Sequence, residues 1–236
     1  MPIAQLVFSL FKKFAEAKEA LLKRAIVSPD EAAKLDDYEK RKSFWVAGVS
    51  EAAKTQQILD SLGDAIDKGQ GFQAWQKNAL ADDGSAIRSL TKAHRETVFR
   101  TNVQTAYSAG RDAQMSQPAV MRARPYRLIQ TIDDARRSTI CKGLSGTLMP
   151  ANDPLWAQRQ PPYHFNCRSN VRAITERQAL DRGGPTGWPA VQPAPGFGGS
   201  GAAGDYSALS QSIANLDPVL ADVAKRKARD GESGDT

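Results

Sequence analysis

"SAIRSLTKAHRETVFRTNVQTAYSAGRDAQMSQP", residues 85–118, is the longest helically periodic stretch of the chain, and its reading decides the fold. Apolar side chains recur at helical spacing and no proline intervenes before Pro118. The helix is expected to start near Ser85 and must end before Pro118, whose ring removes a donor and crowds the preceding turn. Residues before this stretch read as helix. Residues after it read as short strands and loops. The expected fold is therefore α+β and predominantly α, with a helical N-terminal half packed on a small α+β module.

Upstream, "IAQLVFSLFKKFAEAKEALLKRAIV" (3–27) is rich in good helix formers at helical spacing. In "SPDEAAKLDDYEKRKSFWVAG" (28–48), Ser28 is the expected N-cap, Pro29 takes the first helical position, and acids follow at the positive end of the dipole. "SEAAKTQQILDSLGDAIDKG" (50–69) carries an apolar stripe of Leu59, Leu62 and Ile66, with Gly69 as the stop. "GFQAWQKNAL" (71–80) is a short helix bearing Phe72 and Trp75.

Downstream, "RARPYRLIQTIDD" (122–134) reads as a strand. The stretch 141–175 has Gly or Pro every few residues, which suits short strands and ordered loops. Residues 182–204, "RGGPTGWPAVQPAPGFGGSGAAG", read as a Pro/Gly linker with no core of their own. One or two helices are expected within 205–230, followed by a disordered end. The expected division is a helical domain at 1–117, a small module at 118–181, and a linker with a partly disordered helical tail at 182–236.

With 41% hydrophobic and 25% charged residues, the 236-residue chain falls in the range of folded soluble proteins, not disordered ones. No apolar run is long enough for a membrane span, and no signal peptide is read, so a cytosolic protein is expected. Two cysteines do not make a disulfide framework; reduced thiols or a bound metal suit that compartment better. The net charge of +6 is concentrated. Residues 85–137 hold ten Arg and Lys against four acids, a surplus equal to that of the whole chain. Such a stripe could neutralise phosphates, or it could serve as a solvated face or a patch for an acidic protein.

"PPYHFNCRSNV" (161–171) carries His164 and Cys167, and "STICKGLSG" (138–146) carries Cys141. His-x-x-Cys can offer two soft ligands from one tight turn, with Cys141 closing from a distance. Structural zinc wants four ligands, so Asp134, Asp153 or water would have to complete the set. A Cys141–Cys167 disulfide, worth ~3 kcal/mol for a loop of this size in an oxidising setting, is a rival. A plain packed loop is another. His94-Arg95-Glu96 makes an H-x-E triplet, but no P-C-x-x-C follows it, so a zinc deaminase is set aside. Neither a nucleophile elbow nor a G-x-x-x-x-G-K loop is present.

Three stretches together resemble the phage Mu F-like head morphogenesis proteins, minor capsid proteins of tailed phages. They are "FRTNVQTAYSAGR" (99–111), "RPYRLIQTIDDARRSTICKGLSGTLMPANDPLW" (124–156) and "PPYHFNCRSNVRAIT" (161–175). The resemblance covers roughly residues 40–176. The helix matches at Arg100, Thr101, Asn102, Tyr107, Gly110 and Arg111. The second stretch matches at Asp134, Cys141, Leu144, Gly146, Asp153, Pro154 and Trp156, with Arg137 shifted by one place. The closing turn matches at Pro161, Pro162, Asn166, Cys167 and Arg168. Many relatives carry a second cysteine where this chain has Ser169, or another ligand near Ser138, so the family geometry comes here with fewer metal donors.

The resemblance implies a non-enzymatic virion protein that binds portal, scaffold or major capsid protein during procapsid assembly. It implies no obligatory cofactor, a structural zinc at Cys141, His164 and Cys167 being the one candidate. Two alternatives stand beside it: an internal virion protein bound non-specifically to packaged DNA and ejected with the genome, and a zinc-dependent hydrolase or nuclease using His164 and Cys167. Arg168 is expected to pair with Asp134 or to reach a partner, and Asn166 to tolerate a left-handed backbone.

Overall fold

The computed structural model describes residues 15–81 and 85–199. The start of the first expected helix and the expected C-terminal helices lie outside these residues. The elements run α1 (Ala15–Leu22), β1 (Ala25–Ile26), α2 (Pro29–Lys34), α3 (Asp37–Lys42), β2 (Ser43–Phe44), α4 (Ala52–Asp67), α5 (Phe72–Ala81), α6 (Lys92–Met115) and α7 (Pro118–Ala123). There follow β3 (Tyr126–Gln130), α8 (Thr139–Leu144), β4 (Leu148–Pro150), a 3₁₀ turn (Pro154–Gln158), β5 (Asn170–Ile174) and α9 (Glu176–Leu180). The fold is α+β and predominantly α.

Capping chemistry explains where the helices depart from the expected bounds. Ser28 and Glu31 form a capping box that starts α2, and Asp36 with Glu39 form a second one eight residues on. The second box ends α2 and starts α3, so residues 28–48 are two short helices followed by β2 instead of one helix. Likewise α6 starts at Lys92, not near Ser85, because the Thr91 hydroxyl accepts from the His94 amide and caps there. Ala25 and Ile26, expected in the first helix, pair in parallel with Ser43 and Phe44. α4 ends as expected: Gly69 has φ +60°, and the Gln70 amide reaches back to Ala65 O while that of Gly69 reaches Ile66 O. This is a Schellman stop, which requires a left-handed residue at that point.

The larger core lies among α1, α4, α5 and α6 and holds Leu21, Phe44, Ile58, Leu59, Leu62 and Ile87. Its centre is an aromatic cluster, with the Trp75 ring 5.2 Å from that of Phe99 and 6.1 Å from that of Phe72. Trp75 donates its indole N–H to Ser61 Oγ, so the buried nitrogen is satisfied.

The second core belongs to the three-stranded antiparallel sheet, order β4-β3-β5. Successive side chains on β3 face opposite sides. Ile129 joins Leu144, Trp156, Tyr163 and Val171 on one side; Leu128 joins Leu148, Ile174 and Ala179 on the other. Helix α6 serves both cores, giving Phe99 to the first and Met115 to the second.

Residues 184–199, read as a linker without a core, strap across the module instead. Trp188 packs edge-on against Trp156 with centroids 4.8 Å apart, and Val191 packs on the same core. Backbone bonds Thr186 N to Leu148 O, Ala194 N to Tyr163 O and Gly198 N to Pro162 O hold the strap down. Proline and glycine composition does not reveal this, because the anchoring comes from Trp188, Val191, Phe197 and main-chain groups.

Candidate metal centre and its frame

The motif residues of α6 act as a frame. Asn102 accepts from Arg24 at 2.7 Å through its oxygen and donates to Val98 O through its amide nitrogen, tying α6 to the chain after α1. Thr101 Oγ1 accepts from the Asn166 amide at 3.4 Å, and Arg111 donates to Val171 O at 3.3 Å. Gln104, not singled out from the sequence, donates to Ser169 O at 2.8 Å. One helix face thus grips the closing turn and β5 at three heights. Arg100 is exposed and pairs with Glu96 on its own helix, Tyr107 is half-buried, and Gly110 is buried.

A buried ion pair joins this helix to the sheet. Arg127 on β3 donates to Asp112 Oδ1 at 2.7 Å and to Ser116 Oγ at 2.8 Å, and Gln160 donates to the same carboxylate oxygen at 3.1 Å. The Arg127 guanidinium also lies 5.7 Å from the centroid of the Trp156 ring. Neither Asp112 nor Gln160 carried a motif signal. Their roles come from a contact across 15 and 48 residues that no local pattern marks.

Within the module, Gly146 adopts φ +80° where the chain turns from α8 into β4, and its amide donates to Ile129 O. Asp153 caps the 3₁₀ turn by accepting from Leu155 N, and Trp156 donates its indole N–H to Pro150 O. Asn166 has φ +57°, the left-handed conformation expected for it. Arg168 holds Asp134 with two bonds of 2.7 and 2.6 Å. The Arg168 guanidinium, aided by the Arg136 amide, keeps the Asp134 carboxyl near 2.

Cys141, His164 and Cys167 do converge. Their Sγ and ring nitrogen atoms lie within 4.8 Å of one another, and both cysteines are buried and unbridged. Cys141 Sγ is 3.1 Å from His164 Nε2 and 3.7 Å from Cys167 Sγ. Two hydroxyls complete the surround. Ser169 Oγ is 3.1 Å from Cys141 Sγ, and Ser138 Oγ is 2.8 Å from His164 Nε2. Ser138 is also the N-cap of α8 and accepts from the Cys141 amide.

The cluster holds one negative charge cheaply. The Cys167 thiol donating to it, with help from Ser169 and Ser138, brings the Cys141 thiol down to about 4 despite burial. The same shared proton, together with burial, pushes Cys167 up. The two aspartates considered as further ligands do not join: Asp134 is taken by Arg168 and Asp153 by its cap. A cavity of about 20 Å³ opens beside the cluster between Ser138, His164, Asn166 and Ser169. That is room for one water-sized ligand.

A larger groove of about 400 Å³ lies on the α6 side of the turn, lined by Lys40, Trp45, Val98, Thr101, Phe165 and Phe197. Phe165 is 64% exposed and stacks edge-on against Phe197 of the strap at 4.9 Å. Four of the ten basic residues of the 85–137 stretch are engaged by acids. Arg100, Arg127, Arg136 and Arg137 are all in ion pairs, with Glu96, Asp112, Asp134 and Asp133 respectively. No helix among the described residues is long and apolar enough to cross a membrane.

A long helix clasping a three-stranded sheet and a Cys/His turn defines a small α+β module with an added helical region. The family described as "Phage Mu protein F like protein" matches residues 56–172, from within α4 to within β5. The chain belongs to this phage Mu F-like family. It is 27% identical over 155 residues to the Mu-like prophage FluMu F protein of Haemophilus influenzae, covering 60% of this chain and 37% of that protein. It is 28% identical over 138 residues to protein F of Escherichia phage Mu, whose name assigns it provisionally to capsid assembly, covering 57% and 30%. The chain thus spans about a third of the length of these curated relatives. No solved structure matches it.

Proposed function

We propose that the chain is a minor head protein of a bacteriophage, binding portal, scaffold or major capsid protein during procapsid assembly and remaining in the virion. Membership of the Mu F-like family carries this reading, since the phage Mu relative is named for capsid assembly. The groove beside Phe165 supports it with a contact face. Apolar rings and Lys40 together suit an apolar segment carrying acidic residues. Most of the polar motif residues are engaged within the molecule, Asn102 with Arg24, Arg111 with Val171 O and Arg168 with Asp134, which is the behaviour of architecture rather than turnover.

Co-expression of the tagged chain with the portal, scaffold and coat proteins of its phage, followed by affinity capture, tests the proposal. One of those proteins should be retained by the native chain and lost with Phe165→Asp, a change that gives up the edge-on stack on Phe197 but leaves both cores intact because that ring is 64% exposed. Capture of none of the three by the native chain would refute it. Retention only of DNA, abolished steeply by salt, would favour non-specific binding to the packaged genome instead.

A further inference from the structure

We propose that Cys141, His164 and Cys167 bind one zinc ion as a structural staple, with a water molecule in the fourth position. Three separate features lead there. First, a tetrahedron with Zn–S bonds of about 2.3 Å has a sulfur–sulfur edge of about 3.8 Å. The Cys141 and Cys167 sulfurs are 3.7 Å apart, and His164 Nε2 faces the same space. A disulfide would need them at about 2.05 Å.

Second, the imidazole is set as a ligand. His164 Nδ1 lies 2.7 Å from Phe165 O, a contact that only an N–H can satisfy, so Nδ1 carries the proton. Nε2 is left with its lone pair, 3.1 Å from Cys141 Sγ and 2.8 Å from the Ser138 hydroxyl. A carbonyl that fixes the tautomer of a ligating histidine is the usual outer support of a zinc site. The sulfurs are supported too: the Ser169 amide points at Cys167 Sγ and the Ser169 hydroxyl at Cys141 Sγ.

Third, the charge and the space fit. Two thiolates and a neutral imidazole bring Zn²⁺ to zero net charge, which suits a buried position; on binding, the thiol protons leave to solvent. The cavity of about 20 Å³ at the open side takes one water, bordered by Ser138 and Ser169, and has no room for a substrate. The ion would join the start of α8 to the 161–168 turn, segments that the Ser138–His164 hydrogen bond also ties, with the Arg168–Asp134 pair alongside.

The test is metal content by elemental analysis and native mass spectrometry on the full chain, purified without chelator and also stripped and reloaded with zinc. One zinc per chain is expected in both. Cys141→Ala and Cys167→Ala should each abolish stoichiometric zinc. Ser169→Ala should keep it with affinity weakened about 10–100-fold, as for other outer-shell losses. Ser169→Cys should tighten it. Cobalt loaded into the native chain should show thiolate-to-metal charge transfer and the intense visible bands of a tetrahedral ion, a readout that needs no variant to fold. A native chain that takes up no zinc would overturn the proposal. So would zinc content indifferent to both cysteine substitutions, octahedral cobalt, or a protein mass two hydrogens light from a Cys141–Cys167 disulfide.

Discussion

Replacing Asp112 by alanine should be among the most damaging single changes to this fold. The substitution strands Arg127, which is 3% exposed, with its charge facing an empty site, and it also removes the acceptor of Gln160. Breaking one side of a buried ion pair costs about 3–5 kcal/mol, because the surviving charge stays desolvated. Domains of this kind hold about 5–15 kcal/mol in total, so about a fifth or more of the margin would go. With a urea dependence of about 2 kcal/mol per molar, the midpoint should fall by about 1.5–2.5 M. Trp156, beside the Arg127 guanidinium, provides the fluorescence signal. Asp112→Asn should cost less, since its oxygen still accepts. The double variant Asp112→Leu with Arg127→Met should be more stable than Asp112→Ala alone, because it leaves no buried charge behind. A midpoint shift below about 0.5 M for Asp112→Ala, or a double variant weaker than the single one, would refute the reasoning.

Three other outcomes are expected. Asn166→Val should cost about 1–2 kcal/mol in urea unfolding, because a β-branched residue resists φ +57°, whereas Asn166→Gly should be nearly neutral. Gly143→Ala would place a Cβ 2.6 Å from Val191 Cγ2. It should cost about 1–3 kcal/mol by overpacking and expose the 184–199 strap to proteolysis, with Val191→Ala on the same background restoring most of both. Asp134 has its folded pKa lowered from 3.8 to about 2, so its contribution is complete above about pH 4 and drains away as pH falls toward 2. An NMR titration should place its midpoint near 2 in the native chain and near the ordinary value in Arg168→Met; equal midpoints would remove the Arg168 pair as the cause.

The sequence was legible where the determinants are local. Ser28 with Pro29, the stripe of Leu59, Leu62 and Ile66, the Gly69 stop and the β3 strand each depend on neighbours within a few residues, and each is where periodicity and capping place it. Errors came where two local signals compete or where a partner is remote. Asp36 with Glu39 outweighs the helical composition of 28–48, and Thr91 outweighs the periodic residues before it. The strap depends on Trp188 finding Trp156, and the pair of Asp112 with Arg127 on two elements meeting, which spacing alone does not encode. The Cys141, His164 and Cys167 set could be suspected from residue type, but its convergence needed the turn, with Asn166 left-handed, and the α8 cap at Ser138.

The most direct measurement of the central claim is quantitative mass spectrometry of purified procapsids and virions of the phage that encodes the chain, after nuclease and high-salt washing. The account predicts the chain in both particles, far below the coat protein in number, retained when DNA is absent and lost with Phe165→Asp. Its absence from procapsids, or its release together with the DNA, would contradict the account.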